Sequence, residues 1–284
     1  MKQITVISGK GGAGKTTVTA MFSTLAKAVV ADCDVDAPNL HILLQPKIVE
    51  TIPFYGMKRA RIIEEKCSQC GLCEELCRFE AIKDFKVDEI RCEGCALCYR
   101  ACPERAIEMV EEKRGEIYIC ETKFCDFVYA LLSPGEENSG KLVSEVRNTA
   151  KSLAESKGID LLIVDGAPGI GCPVIASLAG ANVALIVAEP TLSGLNDMIR
   201  VIELANHFKI KPMVVVNKFD LNLEVTEKIE EFCRNNGIEI VGKIPFDEEL
   251  PKQISLLKLP FECKAGDAIR EVWERVREEL KGNT

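Results

Sequence analysis

Residues 9–16 read Gly-Lys-Gly-Gly-Ala-Gly-Lys-Thr and satisfy the pattern G-x-x-x-x-G-K-[ST]. Glycines at 11, 12 and 14 let the backbone wrap a phosphate closely, with N–H groups turned inward. Gly9, Lys10, Gly11, Gly12, Ala13, Gly14, Lys15, Thr16 and Thr17 are therefore the expected nucleotide cradle. In such a phosphate loop (P-loop) Lys15 reaches the β- and γ-phosphates, and the Thr16 hydroxyl ligates Mg²⁺. The flanks suit it: Gln3–Ser8 reads as a buried strand and residues 16–28 as a helix.

A second set of residues is built from sulfur. Cys67, Cys70, Cys73 and Cys77 recur 25 residues later as Cys92, Cys95, Cys98 and Cys102, followed by Pro103. This matches the spacing of bacterial two-cluster ferredoxins, in which the fourth cysteine of each run ligates the other cluster. One [4Fe–4S] cluster would take Cys67, Cys70, Cys73 and Cys102; the other would take Cys92, Cys95, Cys98 and Cys77. Zinc is the chemical alternative, but its sites usually pair two separated C-x-x-C knuckles. The first run carries Arg78 where the second has Pro103, which should alter the chain's exit without removing a ligand.

Carboxylates supply the remaining chemistry. Asp32, Asp34 and Asp36 alternate just past a short strand, Val29–Asp32, where an α/β sheet places its ligands. One of them is expected at the Mg²⁺ shell or the attacking water, with Asp34 first and the other two open. Leu161–Asp165 is an apolar strand ending in an Asp and followed by Gly-Ala-Pro-Gly. That is the second metal-side signature of P-loop proteins, so Asp165 joins Thr16 and Asp34 as expected Mg²⁺ residues. Asn217 and Asp220 end a later strand where a base-reading loop would lie. Asn217 is the candidate purine contact, and Asp220 is also what guanine readers use, so ATP and GTP stay open on these residues.

The elements that must position these groups alternate strand and helix, which implies a doubly wound, mainly parallel α/β sheet. Strands are expected near 182–188, 212–217 and 238–242, with helices near 141–157, 194–207 and 223–235. From about Lys47 to Glu65 the rhythm lapses. Residues 106–132 read as a hairpin turning at Arg114-Gly115, with Cys120 and Cys125 as ordinary thiols. The polar stretch 133–140 reads as a loop near the nucleotide end. The last helix, about 266–280, presents Ile269, Val272, Trp273, Val276 and Leu280 on one packing face. His41 and His207 stand alone and read as structural. The domain division is 1–64 with 107–284 for the nucleotide domain, and 65–106 for an inserted α+β cluster domain.

Composition narrows the function. A net charge of −8 argues against general nucleic-acid binding, which needs a basic face. No run of 18 apolar residues and no signal peptide occur, so a cytoplasmic chain without a membrane target is expected. Fourteen cysteines in such a chain point to metal rather than disulfides.

With its second lysine, Lys10, the P-loop resembles that of the MinD/ParA/Mrp branch of P-loop ATPases, to which the nitrogenase iron protein also belongs. The chain looks most like MinD-superfamily ATPases with an inserted ferredoxin domain. The likeness extends to residues 134–141, 165–172 and Glu189-Pro-Thr. The resemblance implies ATP, an ATP-bound homodimer in which Lys10 reaches the partner's phosphates, and slow hydrolysis. It assigns catalytic roles to Lys10, Lys15 and Asp34, the last near the family's water-activating position. Cys172 matches the offset of a bridging cluster ligand in the nitrogenase iron protein. The partner cysteine expected near Asn138 is absent from the sequence, so Cys172 reads as structural. The leading expectation is an ATPase whose nucleotide state gates electrons from two clusters to a protein partner. A cluster carrier or assembly factor and a redox-sensitive positioning switch are the alternatives.

Overall fold

The computed structural model describes residues 1–134 and 140–282. The chain opens with β1 (Lys2–Ser8), α1 (Lys15–Leu25), β2 (Val29–Asp32), α2 (Leu40–Leu44) and β3 (Lys47–Tyr55). The cysteine block follows as β4 (Arg59–Ile62), α3 (Leu72–Leu76), β5 (Ile82–Lys83), β6 (Lys86–Val87), α4 (Leu97–Ala101) and β7 (Ile107–Val110). Next come β8 (Lys113–Glu121), β9 (Asp126–Leu132), α5 (Gly140–Ser156), β10 (Leu161–Pro168) and α6 (Cys172–Leu178). The chain ends with β11 (Val183–Ala188), α7 (Leu192–His207), β12 (Lys211–Asn217), α8 (Leu223–Asn235), β13 (Glu239–Ile244), α9 (Glu249–Ser255) and α10 (Lys264–Gly282).

Nine strands form one sheet in the order β13-β12-β11-β1-β10-β2-β9-β8-β3. From β13 to β9 the neighbours run parallel. Strands buried on both faces need apolar side chains at successive positions, not alternating ones. Val183–Ala188 is such a run, buried throughout. On one face α1 and α10 pack together, with Val18, Met21 and Phe22 in the same core as Ile269, Val272, Trp273, Val276 and Leu280. The Phe22 and Trp273 rings lie 4.8 Å apart. On the other face Val174, Leu178, Met198, Val201, Ile202 and Ile229 form a second core. Helices on both faces of a mainly parallel sheet make this an α/β fold of the expected kind, and α10 packs by the expected face.

Two compact units divide the chain. The larger takes Met1–Thr51, Ile117–Leu131 and the C-terminal part, and the smaller is centred on Ile52–Glu116. In the smaller unit β4 pairs antiparallel with β7, and β5 pairs with β6 across Asp84 and Phe85, both at positive φ. The 25-residue sequence repeat is also a backbone repeat. Gln69 and Gly94, Gly71 and Ala96, and Glu80 and Arg105 are left-handed in matching pairs.

One expectation needs correction. Arg114-Gly115 is no turn: both residues lie inside β8, and β7 pairs with β4 instead. Arg-Gly is a weak turn signal, and Gly115 is absent from the residues at positive φ. The stretch from Lys47 holds two strands, β3 and β4. The first half of β3 is exposed on both faces, so no apolar alternation marks it. Residues 135–139, within the expected loop, lie outside the described residues.

Candidate functional site

The P-loop spans the gap between the end of β1 and the start of α1, beside the C-terminal ends of β10 and β11. Gly12 and Gly14 sit at φ 81° and 98°, a region that admits glycine without strain. At Gly9 the requirement is space: a Cβ there would run into the backbone of Asp197 on α7. Lys15 opens α1 and is only 4% exposed. Asn217, at the end of β12, donates from Nδ2 to the Ala13 carbonyl at 2.9 Å. Its amide therefore anchors the loop. Asp220 is likewise engaged, accepting from the Phe246 N–H at 2.7 Å.

The acidic groups separate by environment. Asp32 is fully buried and accepts from the backbone N–H of Asp34 and of Leu40, at 3.1 and 3.2 Å. It shapes the loop leading into α2, and burial raises its pKa, with Asp165 adding to the rise. Asp36 is exposed. Asp34 is half-buried; desolvation raises its pKa and Lys15 opposes the rise. Asp165 is fully buried in β10 and accepts from the Thr19 hydroxyl at 3.1 Å. Burial pushes it up to about 6, against the pull of Lys15 and hydrogen bonds from Thr16 and Thr19. Its Oδ2 is buried with no hydrogen-bond partner among the described residues. An orphaned carboxylate oxygen beside the Thr16 hydroxyl fits a hard cation such as Mg²⁺, which takes oxygen ligands.

Lys10 lies against its own chain. Its Nζ is 3.5 Å from Glu189 Oε2 and 3.4 Å from Thr191 Oγ1. Glu189 Oε1 lies 2.7 Å from Lys218 Nζ. Thr191 also caps α7, its hydroxyl accepting from the Gly194 N–H at 2.9 Å. Glu189 and Lys218 were not among the sequence candidates for the site, although Glu189-Pro-Thr stands right after a buried strand. A cavity of about 300 Å³ adjoins the loop, lined by Gly12, Gly14, Thr17, Asn217, Lys218 and part of the segment after β13, from Pro245 to Asp247 with Leu250 and Pro251. That segment carries no motif, and only its place after β13 could have marked it.

In the smaller unit a small cavity of about 20 Å³ is lined by Cys67, Cys70, Cys73 and Cys102, with Ile62, Leu72, Phe85 and Pro103. The fourth cysteine of each run is held alike. Cys77 Sγ accepts from the Ala81 N–H and Cys102 Sγ from the Ala106 N–H, both at 3.3 Å. Burial pushes Cys98 up to about 11, with Cys92, Cys95 and Cys73 among the charges acting on it. Among the described residues no three His, Cys, Asp or Glu side chains converge as ligands of one metal ion.

The other sulfurs lie elsewhere. Cys120 is buried in β8, and Cys125 sits in the turn before β9, hydrogen-bonded at its backbone to Thr122. Burial pushes both thiols to about 11. Cys172 is exposed at the first turn of α6. His41 stacks on Tyr129 with ring centroids 5.0 Å apart, and His207 meets Phe208 edge-on. No described helix is long and apolar enough to cross a membrane.

Comparison with known proteins bears on the nucleotide site. The family model described as the CobQ/CobB/MinD/ParA nucleotide binding domain matches residues 4–260. An uncharacterized protein of Methanocaldococcus jannaschii is 35% identical over 97% of this chain and 96% of its own length. The septum site-determining protein MinD of Bacillus subtilis is 26% identical over 88% of this chain and 78% of its own. Among solved structures, the septum site-determining protein MinD from Pyrococcus horikoshii, complexed with Mg-ADP, superposes with a TM-score of 0.58 at 18% identity. That match covers 98% of this chain and 96% of the other.

Proposed function

This chain belongs to the CobQ/CobB/MinD/ParA nucleotide-binding family and is a P-loop ATPase, and we propose that it couples ATP-driven dimerisation to two [4Fe–4S] clusters that pass electrons to a protein partner. In this reading the P-loop amides and Lys15 hold the phosphates, and Thr16 and Asp165 hold Mg²⁺. Asp34, the half-buried carboxylate within the field of Lys15, orients the attacking water. Asn217 fixes the loop through the Ala13 carbonyl while lining the cavity that would take the base. Lys10 crosses to the partner subunit's phosphates in the ATP-bound dimer.

The cluster half of the reading is carried by one observation. The cavity lined by Cys67, Cys70, Cys73 and Cys102 unites three cysteines of the first run with the last of the second. That is the set the crossover spacing requires, and neighbours in sequence alone would have favoured Cys77. Cys92, Cys95, Cys98 and Cys77 would hold the second cluster. When bound, the clusters supply one-electron carriage at potentials tuned by charge, solvent and hydrogen bonds to sulfur. The Ala81 and Ala106 N–H groups are such donors, aimed at the crossing cysteines.

Anaerobic reconstitution with iron and sulfide tests this half. Two cubes should bring about eight iron atoms per chain. Cys102→Ser should remove about half of that iron and leave the other cluster's spectrum in place. Tightly bound zinc at both sites, with no iron uptake, would refute the assignment.

A further inference from the structure

We infer that Glu189 is a positioning residue that latches Lys10 to its own subunit, and that Lys218 sets how easily the latch opens. The inference rests on the reading in which Lys10 serves the partner's phosphates, and it concerns what holds Lys10 beforehand.

The geometry is a carboxylate shared by two ammonium groups. Glu189 follows β11, Lys218 follows β12, and Lys10 stands in the P-loop after β1, so three neighbouring strand ends bring them together. The Glu189 side chain is 15% exposed, whereas Lys10 and Lys218 are 35% and 36% exposed. Glu189 is thus the most buried of the three charges and the one that most needs a partner. Its contact with Lys218 is short, at 2.7 Å, and its contact with Lys10 is looser, at 3.5 Å.

That inequality has a consequence. If Lys10 were the sole partner of Glu189, its departure would leave a largely buried carboxylate uncompensated, which is expensive. With Lys218 in place, Lys10 can leave and the carboxylate remains paired. Lys10 itself gives up one ion pair and one hydrogen bond, to Thr191, and would regain charge-assisted bonds at phosphate oxygens. Thr191 keeps its place meanwhile, because its hydroxyl also accepts from the Gly194 N–H. The P-loop backbone stays put too: Gly9 is wedged against Asp197, and the Ser8 hydroxyl donates to the Lys10 carbonyl at 2.6 Å. Release is therefore a movement of the Lys10 side chain on a fixed loop.

Removing the charge of Glu189 and removing that of Lys218 should shift dimerisation in opposite directions. Glu189→Gln is nearly isosteric and removes the charge that holds Lys10. In the presence of Mg²⁺ and a non-hydrolysable ATP analogue it should tighten the dimer by about 3- to 10-fold, the scale of a partly exposed ion pair. Lys218→Met leaves Glu189 with Lys10 alone and should weaken the dimer by a similar factor. Because Lys218 also lines the adjoining cavity, the comparison is made at saturating nucleotide. In a Lys10→Ala background neither substitution should have further effect. Dissociation constants from sedimentation or light scattering read all three outcomes, and thermal unfolding checks that each variant folds. If Glu189→Gln weakens the dimer or leaves it unchanged while Lys10→Ala still impairs it, the latch is wrong and the trans reading survives. If Lys10→Ala leaves dimerisation intact, the trans reading fails and takes the latch with it.

Discussion

Asp34 and Asp165 both feel Lys15, yet their surroundings ask different work of them. Asp165 has no exposed surface and one unpartnered oxygen, which suits a fixed metal shell. Asp34 is half-buried at the loop surface and free to meet a water molecule. Asp34→Ala should therefore preserve binding of Mg²⁺ and nucleotide while lowering the hydrolysis rate by about 10²-fold or more, the usual scale for a positioned base. Single-turnover hydrolysis alongside equilibrium nucleotide binding separates the two effects. Equal loss of both would assign Asp34 to the metal instead. At this scale the sequence was most readable where function is local. Nine consecutive residues make the P-loop, and a fixed spacing makes the cysteine runs. It was least readable where contacts join distant strand ends. Nothing near Asn217 says that its amide will be spent on the Ala13 carbonyl. Nothing near Glu189 says that Lys10, far earlier in the chain, and Lys218, one strand later, will converge on it.

Among the elements, the loop after β13 is tied to its surroundings by Asp247, besides the Asp220 bond at Phe246. Asp247 accepts from the Glu249 N–H at 2.9 Å and from the Ala265 N–H at 3.1 Å, tying the start of α9 to the first turn of α10. These bonds hold its carboxyl below the usual range. The depressed value means that the native state favours the ionised form. The stabilisation is complete above the ordinary carboxylate range near 3.9 and is lost as pH falls through the lower native value. Asp247→Ala should cost about 0.5–1 kcal/mol at neutral pH, a typical capping loss at a partly exposed site. The deficit should shrink in acid. Urea unfolding at neutral and acidic pH measures both, and a deficit that grows in acid would contradict the assignment. Legibility of the elements followed burial. Val183–Ala188 and Leu161–Asp165 announce themselves because parallel strands are apolar on both faces. The α10 stripe announces itself by helical spacing. β3 does not, since residues 47–51 are exposed on both faces and leave no pattern. Arg114-Gly115 misled because a glycine inside a strand reads as a turn until pairing partners are known.

On the scale of the whole molecule, the chain leaves the sheet after β3 and returns in β8, the neighbouring strand. The residues between fall in the smaller unit, which is centred on Ile52–Glu116 and carries all eight repeated cysteines. The parallel strands β13 to β9 are left uninterrupted by that excursion of the chain. The family and its fold were legible from the P-loop and the strand–helix rhythm. The partner was not, because no surface motif names it. The measurement closest to the central claim is a redox titration of the reconstituted clusters with Mg-ADP and again with a non-hydrolysable ATP analogue. Coupling requires the two midpoint potentials to differ, with a shift of about 59 mV marking a tenfold change for one electron. Superimposed titrations, together with an ATPase rate that reduction leaves unchanged, would contradict it.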